Sequence, residues 1–233
     1  MAALRFYFGT MGSGKSTVAL QIHHNLSSRN QRGLLCTRLS REESQVSSRL
    51  GVARQALEVE PDVDLYDVAR SIVVQRGRLD YLVCDEACFY EPEQAEQLAR
   101  VVDDLDSDVY AFGLLTDFRG QLFAATTRFL ELADERIELR VESRCWCGEP
   151  ATHNARLVNG HQVYDGDTVV VGDFDDGEAE IAYDVLCRRH WREGIERARQ
   201  SPLPTMGAPL ALAEDAIVEP APIDPQELGV ESG

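Results

Sequence analysis

Leu4-Arg5-Phe6-Tyr7-Phe8-Gly9-Thr10-Met11-Gly12-Ser13-Gly14-Lys15-Ser16 runs from an apolar segment through a glycine-rich turn to the start of a helical pattern. Leu4 to Phe8 form a compact apolar and aromatic run that stops at a glycine-rich turn. A segment with helical spacing follows, carrying Val18, Ile22 and Leu26 on one face. Between a predicted strand and a predicted helix, the pattern G-x-x-x-x-G-K-[ST] has mechanical meaning. Its glycines let successive backbone N–H groups turn inward around phosphate oxygens, and the helix start adds the positive end of its dipole. In this reading Gly9, Thr10, Met11, Gly12, Ser13 and Gly14 cradle the phosphates of ATP. Lys15 reaches the outer phosphates as a point charge, and Ser16 ligates Mg²⁺ through its hydroxyl. The alternative is a glycine-rich turn with no ligand.

Working outward, apolar runs at 33–39 and 57–59 read as further strands. Leu65, Val68, Ala69, Ile72 and Val73 recur at helical spacing, and Arg76-Gly77-Arg78 closes that helix. Residues 79–84 read as a buried strand ending at Asp85-Glu86. Pro92 is placed as the first residue of a helix whose Ala95, Leu98, Val101, Val102 and Leu105 form an apolar stripe. Residues 109–115 are a further strand. Strands alternating with helices predict an α/β fold, a P-loop NTPase-like parallel sheet flanked by helices. Asp85 then stands at the carboxyl end of a sheet strand, where open α/β folds bind ligands, as the metal-supporting acid. Its neighbour Glu86 has the chemistry to take a proton from a phosphoryl acceptor, a hydroxyl or a water.

The chain has 233 residues, 23 Lys plus Arg against 40 Asp plus Glu, and a formal net charge of -17. That balance repels a nucleic-acid polymer over most of the surface. No apolar run approaches the roughly 18 residues of a membrane span, and 1–8 is too short for a signal peptide, so a cytoplasmic protein is expected. Past residue 141 the grammar shifts to turns: Cys145-Trp146-Cys147-Gly148, an Asn159-Gly160 hairpin signal, and an acidic stretch over 165–180. A basic helical segment over 187–199 follows. The domain expectation is a P-loop unit at 1–142, a β-rich appendage at 143–200, and an acidic disordered tail at 201–233. Of the six cysteines, Cys145, Cys147 and Cys187 join His190 as a complete tetrahedral Zn²⁺ shell, three thiols and one imidazole. Cys187 and His190 share a helix face at i, i+3, whereas the C-x-C pair is tighter than the usual C-x₂₋₄-C. The alternative is a pair of buried thiols and a surface imidazole. Cys36, Cys84 and Cys88 read as small buried side chains, and His23, His24, His153 and His161 show no partner pattern.

Taken together the motifs resemble the type II thymidine kinases, the zinc-containing family of bacteria and the vertebrate cytosol. The resemblance covers about residues 4 to 192 and rests on Gly9 to Ser16, Asp85-Glu86-Ala87-Cys88-Phe89, and Gly113-Leu114-Leu115-Thr116-Asp117-Phe118-Arg119-Gly120. Cys147-Gly148 and Tyr183 with Cys187-Arg188-Arg189-His190 complete it. Cys88 stands where the family motif has glutamine. The resemblance implies that Glu86 is the general base for the 5′-hydroxyl of thymidine, and that Met11, Phe89, Leu114 and Phe118 pack around the thymine ring. It further implies a flexible lasso whose binding edge is Val169, Val170, Val171, Gly172 and Asp173, with Tyr183 beside the nucleoside. A homotetramer inhibited by thymidine triphosphate, a role in salvage and activity on deoxyuridine are likewise implied. A plain P-loop ATPase or GTPase in which Glu86 activates water, and a zinc-ribbon binding module, are the competing readings.

Overall fold

Strand β1 (Leu4–Gly9) alternates buried Leu4 and Phe6 with half-buried Arg5 and Tyr7, the period-two pattern of a strand with two different neighbours above and below. In the computed structural model the described residues are 1–39, 45–47, 53–139, 142–168 and 180–194. The expected lasso edge 169–173, residues 195–200 of the expected helical segment and the tail 201–233 lie outside them. After β1 come α1 (Lys15–Ser27), β2 (Gly33–Thr37), β3 (Gln45–Ser47), β4 (Ala53–Gln55), β5 (Leu57–Glu58), α2 (Leu65–Arg76) and β6 (Tyr81–Cys84). A short 3₁₀ turn (Ala87–Phe89), α3 (Pro92–Leu105), β7 (Asp108–Leu114), α4 (Ala124–Leu132) and β8 (Glu135–Glu138) follow.

The main sheet has six strands in the order β5-β2-β6-β7-β1-β8, every adjacent pair parallel. One face carries Leu4, Phe6, Cys36, Leu82, Cys84, Val109 and Ala111, and packs against Leu65 and Ala69 of α2, Leu98 and Val101 of α3, and Phe129 of α4. Tyr81, Val83 and Phe112 point the other way, onto Ala19 and Leu20 of α1 and Val46 of the β3–β4 hairpin. Both faces are covered, as an all-parallel sheet requires.

Among the described residues, the β3–β4 hairpin, α4 and β8 go beyond the sequence expectation. Strand β8 was not foreseen, because Glu135-Arg136-Ile137-Glu138 has one apolar residue. It forms because β1 offers an open edge, and Arg5 Nε donates to Glu135 Oε1 at 2.8 Å across the pair. Among the described residues the expected basic helical segment forms α5 (Arg188–Glu193), with Gly194 (φ 82) at its end.

Strands β9 (His153–Val158), β10 (His161–Val163) and β11 (Ile181–Leu186) make a separate antiparallel sheet in the order β10-β9-β11. Asn159 and Gly160 both have positive φ, 51° and 78°, the geometry of the two-residue turn that their sequence signals. The apolar centre beneath this sheet is small, with Cys145, Ala155, Leu157 and Leu186 buried.

Candidate functional site

The loop between β1 and α1 folds as the glycine pattern demands. Gly12 and Gly14 hold φ at 74° and 79°, a region closed to most side chains, and the Ser13 N–H returns to the Thr10 carbonyl at 3.3 Å. Lys15 is buried and its Nζ donates to the Thr10 carbonyl at 2.8 Å, so the ammonium lies over the loop rather than in bulk water.

Asp85 follows β6 and is anchored by its N–H to the Cys36 carbonyl at 2.8 Å. Burial pushes its carboxyl up, against hydrogen bonds from the Ser16 side chain and the Glu86 N–H and the charge of Lys15. Its Oδ1, and the hydroxyl of Ser13, are buried without a hydrogen-bond partner. A buried carboxylate oxygen left without a donor, beside a serine hydroxyl at a phosphate loop, fits a hard divalent cation, for which oxygen is the preferred ligand.

Glu86 adopts φ 52°, the left-handed region, and so turns the chain sharply out of β6 into the 3₁₀ turn. Its Oε2 lies 4.0 Å from the Cys88 thiol, which burial first, and the Glu86 charge second, push far above the usual thiol range. Cys88 in turn rests on Gly113 of β7, where a Cβ would stand 2.8 Å from the Cys88 nitrogen. The chain at 113 can approach the carboxylate-bearing turn this closely only without a side chain.

A cavity of about 460 Å³ opens at the carboxyl ends of β2, β6 and β7. Arg38, Cys88, Phe89, Asp117, Arg119, Phe123 and Thr168 contribute to its walls, and the rings of Phe89 and Phe123 meet edge to face at 5.3 Å. Its place at the carboxyl edge of a parallel sheet and its mixed apolar and polar lining suit a small ligand. Phe89 is therefore a wall residue as expected. Met11, Leu114, Phe118, Tyr183 and Glu86 are not among the lining residues, although Cys88, which faces Glu86, is.

Phe118 is instead turned inward and buried, with the Arg156 guanidinium 3.9 Å above its ring. Arg156 also donates to the Tyr183 hydroxyl at 3.0 Å and to the carbonyls of Asp167 and Thr168 at 2.6 and 3.1 Å. It thus ties β11 to the residues that lead into the expected lasso. Arg119 pairs with Asp117 at 2.7 Å and donates to Thr168 Oγ1 at 2.8 Å. Leu114 sits at the end of β7, its carbonyl accepting from the Thr126 hydroxyl at 2.8 Å. Met11 is half-buried, and its N–H donates to Asn154 Oδ1 at 2.8 Å, while Asn154 Nδ2 donates to the Thr116 carbonyl at 2.8 Å.

Asn154 and Arg156 were not identified as functional from the sequence. On β9 they alternate with Ala155 and Leu157, which face the small apolar centre. Polar residues on one side of an antiparallel strand read as a wet face. Here that face is covered by the phosphate loop and the loop after β7, and both residues are 3 % exposed.

At the outer end of the small sheet, the ligand atoms of Cys145, Cys147, Cys187 and His190 all lie within 4.8 Å of one another. His190 Nδ1 is 3.4 Å from the Cys145 sulfur and 3.3 Å from that of Cys187, and the Cys147 and Cys187 sulfurs are 4.0 Å apart. Edges of a tetrahedron with metal–sulfur bonds of about 2.3 Å are about 3.8 Å, so the four atoms fit a structural zinc. The tight C-x-C pair closes because Gly148 (φ 89) reverses the chain, its N–H returning to the Cys145 carbonyl at 2.8 Å.

A family model described as thymidine kinase matches residues 2–191. The thymidine kinase of Streptomyces avermitilis is 52% identical over 199 residues, spanning 85% of this chain and 92% of its own. That of Cutibacterium acnes is 52% identical over 196 residues, 84% of this chain and 90% of its own. A more distant relative, the thymidine kinase of Ruegeria pomeroyi, is 39% identical over 197 residues, 83% and 95% of the two chains.

Proposed function

The chain belongs to the thymidine kinase family, and on that premise we propose that it transfers the terminal phosphoryl group of ATP to the 5′-hydroxyl of thymidine, with Mg²⁺ as cofactor. The observation that carries the reading is the convergence of the phosphate loop, the Asp85-Glu86 carboxylates and the 460 Å³ cavity at one edge of the sheet. Gly9, Thr10, Met11, Gly12, Ser13 and Gly14 hold the phosphates, and Lys15 supplies positive charge to them. Ser16 and Asp85 would hold Mg²⁺, which when bound neutralises charge on the phosphates. Glu86 is the general base that takes the proton of the acceptor hydroxyl, a reading supported by the 4.0 Å between its Oε2 and the thiol of Cys88, a wall residue of the cavity.

Phe89 packs on the base directly. Met11, Leu114, Phe118 and Tyr183 complete the nucleoside site once the lasso edge at 169–173 closes, and Arg156 holds the two ends of that lasso. Closure excludes water and favours transfer to sugar over hydrolysis. Deoxyuridine, which lacks only the base methyl group, is a second substrate, and the reaction serves pyrimidine deoxynucleoside salvage in the cytoplasm. Among the described residues no helix is long and apolar enough to cross a membrane. The division into a P-loop unit at 1–142, a zinc and lasso unit at 143–200 and an acidic tail at 201–233 is proposed on the same basis. So are the homotetramer and the feedback inhibition by thymidine triphosphate.

The test is a nucleoside panel with ATP and Mg²⁺, scored for 5′-monophosphate. ATP consumption is expected only with thymidine or deoxyuridine. Glu86→Gln is expected to lower kcat by about 10²- to 10⁴-fold, the usual worth of a general base, while ATP-analogue affinity stays within about two-fold. ADP release that ignores every nucleoside overturns the reading in favour of a nucleoside-independent ATPase.

A further inference from the structure

We infer that Trp191 is a positioning residue that transmits the order of the cysteine–histidine cluster to the loop of residues 117–121, and so sets nucleoside affinity; the inference rests on the nucleoside reading of the 460 Å³ cavity. Trp191 follows His190 on α5, and its N–H bonds to the Cys187 carbonyl at 3.0 Å, so two cluster residues set its position along the helix. Its indole Nε1–H donates to the Phe118 carbonyl at 3.0 Å, across 73 positions of sequence. The same ring covers Gly120, where φ is +76° and a Cβ would stand 3.0 Å from the indole edge. From β9 the His153 ring lies 4.8 Å from the indole, tilted by 31°, and Tyr164, just past β10, meets it edge-on at 5.6 Å. Gln162 Nε2 and the Tyr164 hydroxyl both donate to the Trp191 carbonyl, the former at 2.9 Å.

The loop on the receiving side is a unit closed on itself. Asp117 Oδ1 accepts from the N–H groups of Arg119 and Gln121 at 2.9 and 3.0 Å, and its Oδ2 accepts from Arg119 Nε at 2.7 Å. A loop so braced moves as one body, and its placement is set by external anchors. Trp191 at the Phe118 carbonyl and Arg156 at the Phe118 ring are two of these. Asp117 and Arg119 of the same loop are walls of the cavity, so a shift of the indole becomes a shift of the wall.

Helix α5 cannot hold that anchor alone. It has six residues, none of them buried, far short of the length at which a helix is stable by itself. A zinc ion held by Cys187 and His190 would pin it to the turn of Cys145 and Cys147, adding to the contacts of Gln162, Tyr164 and His153 with Trp191, and Trp191 is the side chain on the helix that reaches the loop. Lys15, Asp85 and Glu86 stand on other elements, so losing the anchor weakens nucleoside binding without slowing transfer at saturation.

The test uses the full chain and two substitutions. Trp191→Phe keeps a ring over Gly120 but removes the N–H donor. Expected are zinc content unchanged by elemental analysis, a thymidine KM raised about three- to ten-fold, as befits one lost hydrogen bond, and kcat and ATP KM within about two-fold. The chain has two tryptophans, so Trp146→Phe leaves residue 191 as the sole indole reporter. Stripping zinc from that variant with a chelator is expected to shift its emission to the red, as the indole leaves its seat on Gly120 and meets water. An unchanged thymidine KM, an equal loss in kcat, loss of zinc from Trp191→Phe, or emission that ignores zinc removal would each overturn the inference. If the unaltered protein phosphorylates no nucleoside, the reading of the cavity fails by itself, and the emission response still decides whether the cluster holds Trp191.

Discussion

Asn154 joins three parts of the molecule through one amide: it accepts from Met11 N–H in the phosphate loop and donates to the Thr116 carbonyl beyond β7, from a position on β9. Both hydrogen bonds are partly buried, and Asn154 itself is buried. Asn154→Ala leaves a donor and an acceptor unmatched, and a loss of about 2 kcal/mol in urea unfolding is expected, with a raised KM for ATP because Met11 belongs to the proposed phosphate cradle. A titratable residue gives a second prediction. Burial holds the His23 imidazole below its ordinary value, with Arg54 and His24 acting in the same direction, and its Nδ1 lies 3.1 Å from the Tyr81 hydroxyl. A depressed folded value means the native state binds the proton less readily than the unfolded chain. Its stabilisation is therefore present above about pH 6.5 and is lost as pH falls through the folded value. Urea midpoints measured between about pH 7.5 and 5.5 should decline, and His23→Gln should flatten the slope.

At the scale of elements, the contact that matters most to the proposed chemistry is β7 against the turn that carries Glu86. Gly113 lies in the middle of an apolar run, where sequence alone offers no reason for a glycine. Its neighbour across the contact is backbone, 2.8 Å from where a Cβ would stand, and backbone cannot rotate aside. Gly113→Ala should therefore cost about 1 to 3 kcal/mol of stability by overpacking and, by displacing Glu86, lower kcat more than either KM. Thermal unfolding and steady-state kinetics on the same sample check both parts. Most of the elements around this contact were legible beforehand: β1, β2, β6 and β7 announce themselves as apolar runs, α2 and α3 by one-face periodicity. Strand β8 and the β3–β4 hairpin were not, because each is short and has few apolar residues. Their pairing energy comes from an edge or a helix supplied by distant parts of the chain, and Val46, buried against α1, is the hairpin's main anchor.

For the whole molecule, the two sheets are unequally stabilised. The parallel sheet is covered on both faces by large apolar clusters, whereas the antiparallel sheet rests, among the described residues, on an apolar cluster of four buried residues, the buried polar pair Asn154 and Arg156, and the cysteine–histidine cluster. A structural zinc contributes on the order of 10 kcal/mol in small metal-dependent units. Chelation, or Cys147→Ser, is therefore expected to unfold the region around residues 143–194 in a separate low-temperature calorimetric transition, leaving the main transition of the parallel sheet near its original temperature. A single transition that falls as one would show that the two sheets unfold together.

The glycine-rich loop, the carboxylate pair after β6 and the cysteine–histidine cluster were readable in the sequence because each is a local pattern whose residues are chemically committed: glycine for positive φ, paired acids at a strand end, two thiols around a tight turn and a thiol and an imidazole three positions apart. What Asn154, Arg156 and Trp191 do was not readable. An amide, a guanidinium or an indole on a short strand or helix has the same local signature whether it faces water or another element. Only the packing of the small sheet onto the loops at the end of the large one, brought together over separations such as the 143 positions between Met11 and Asn154, turns those side chains inward and gives them partners.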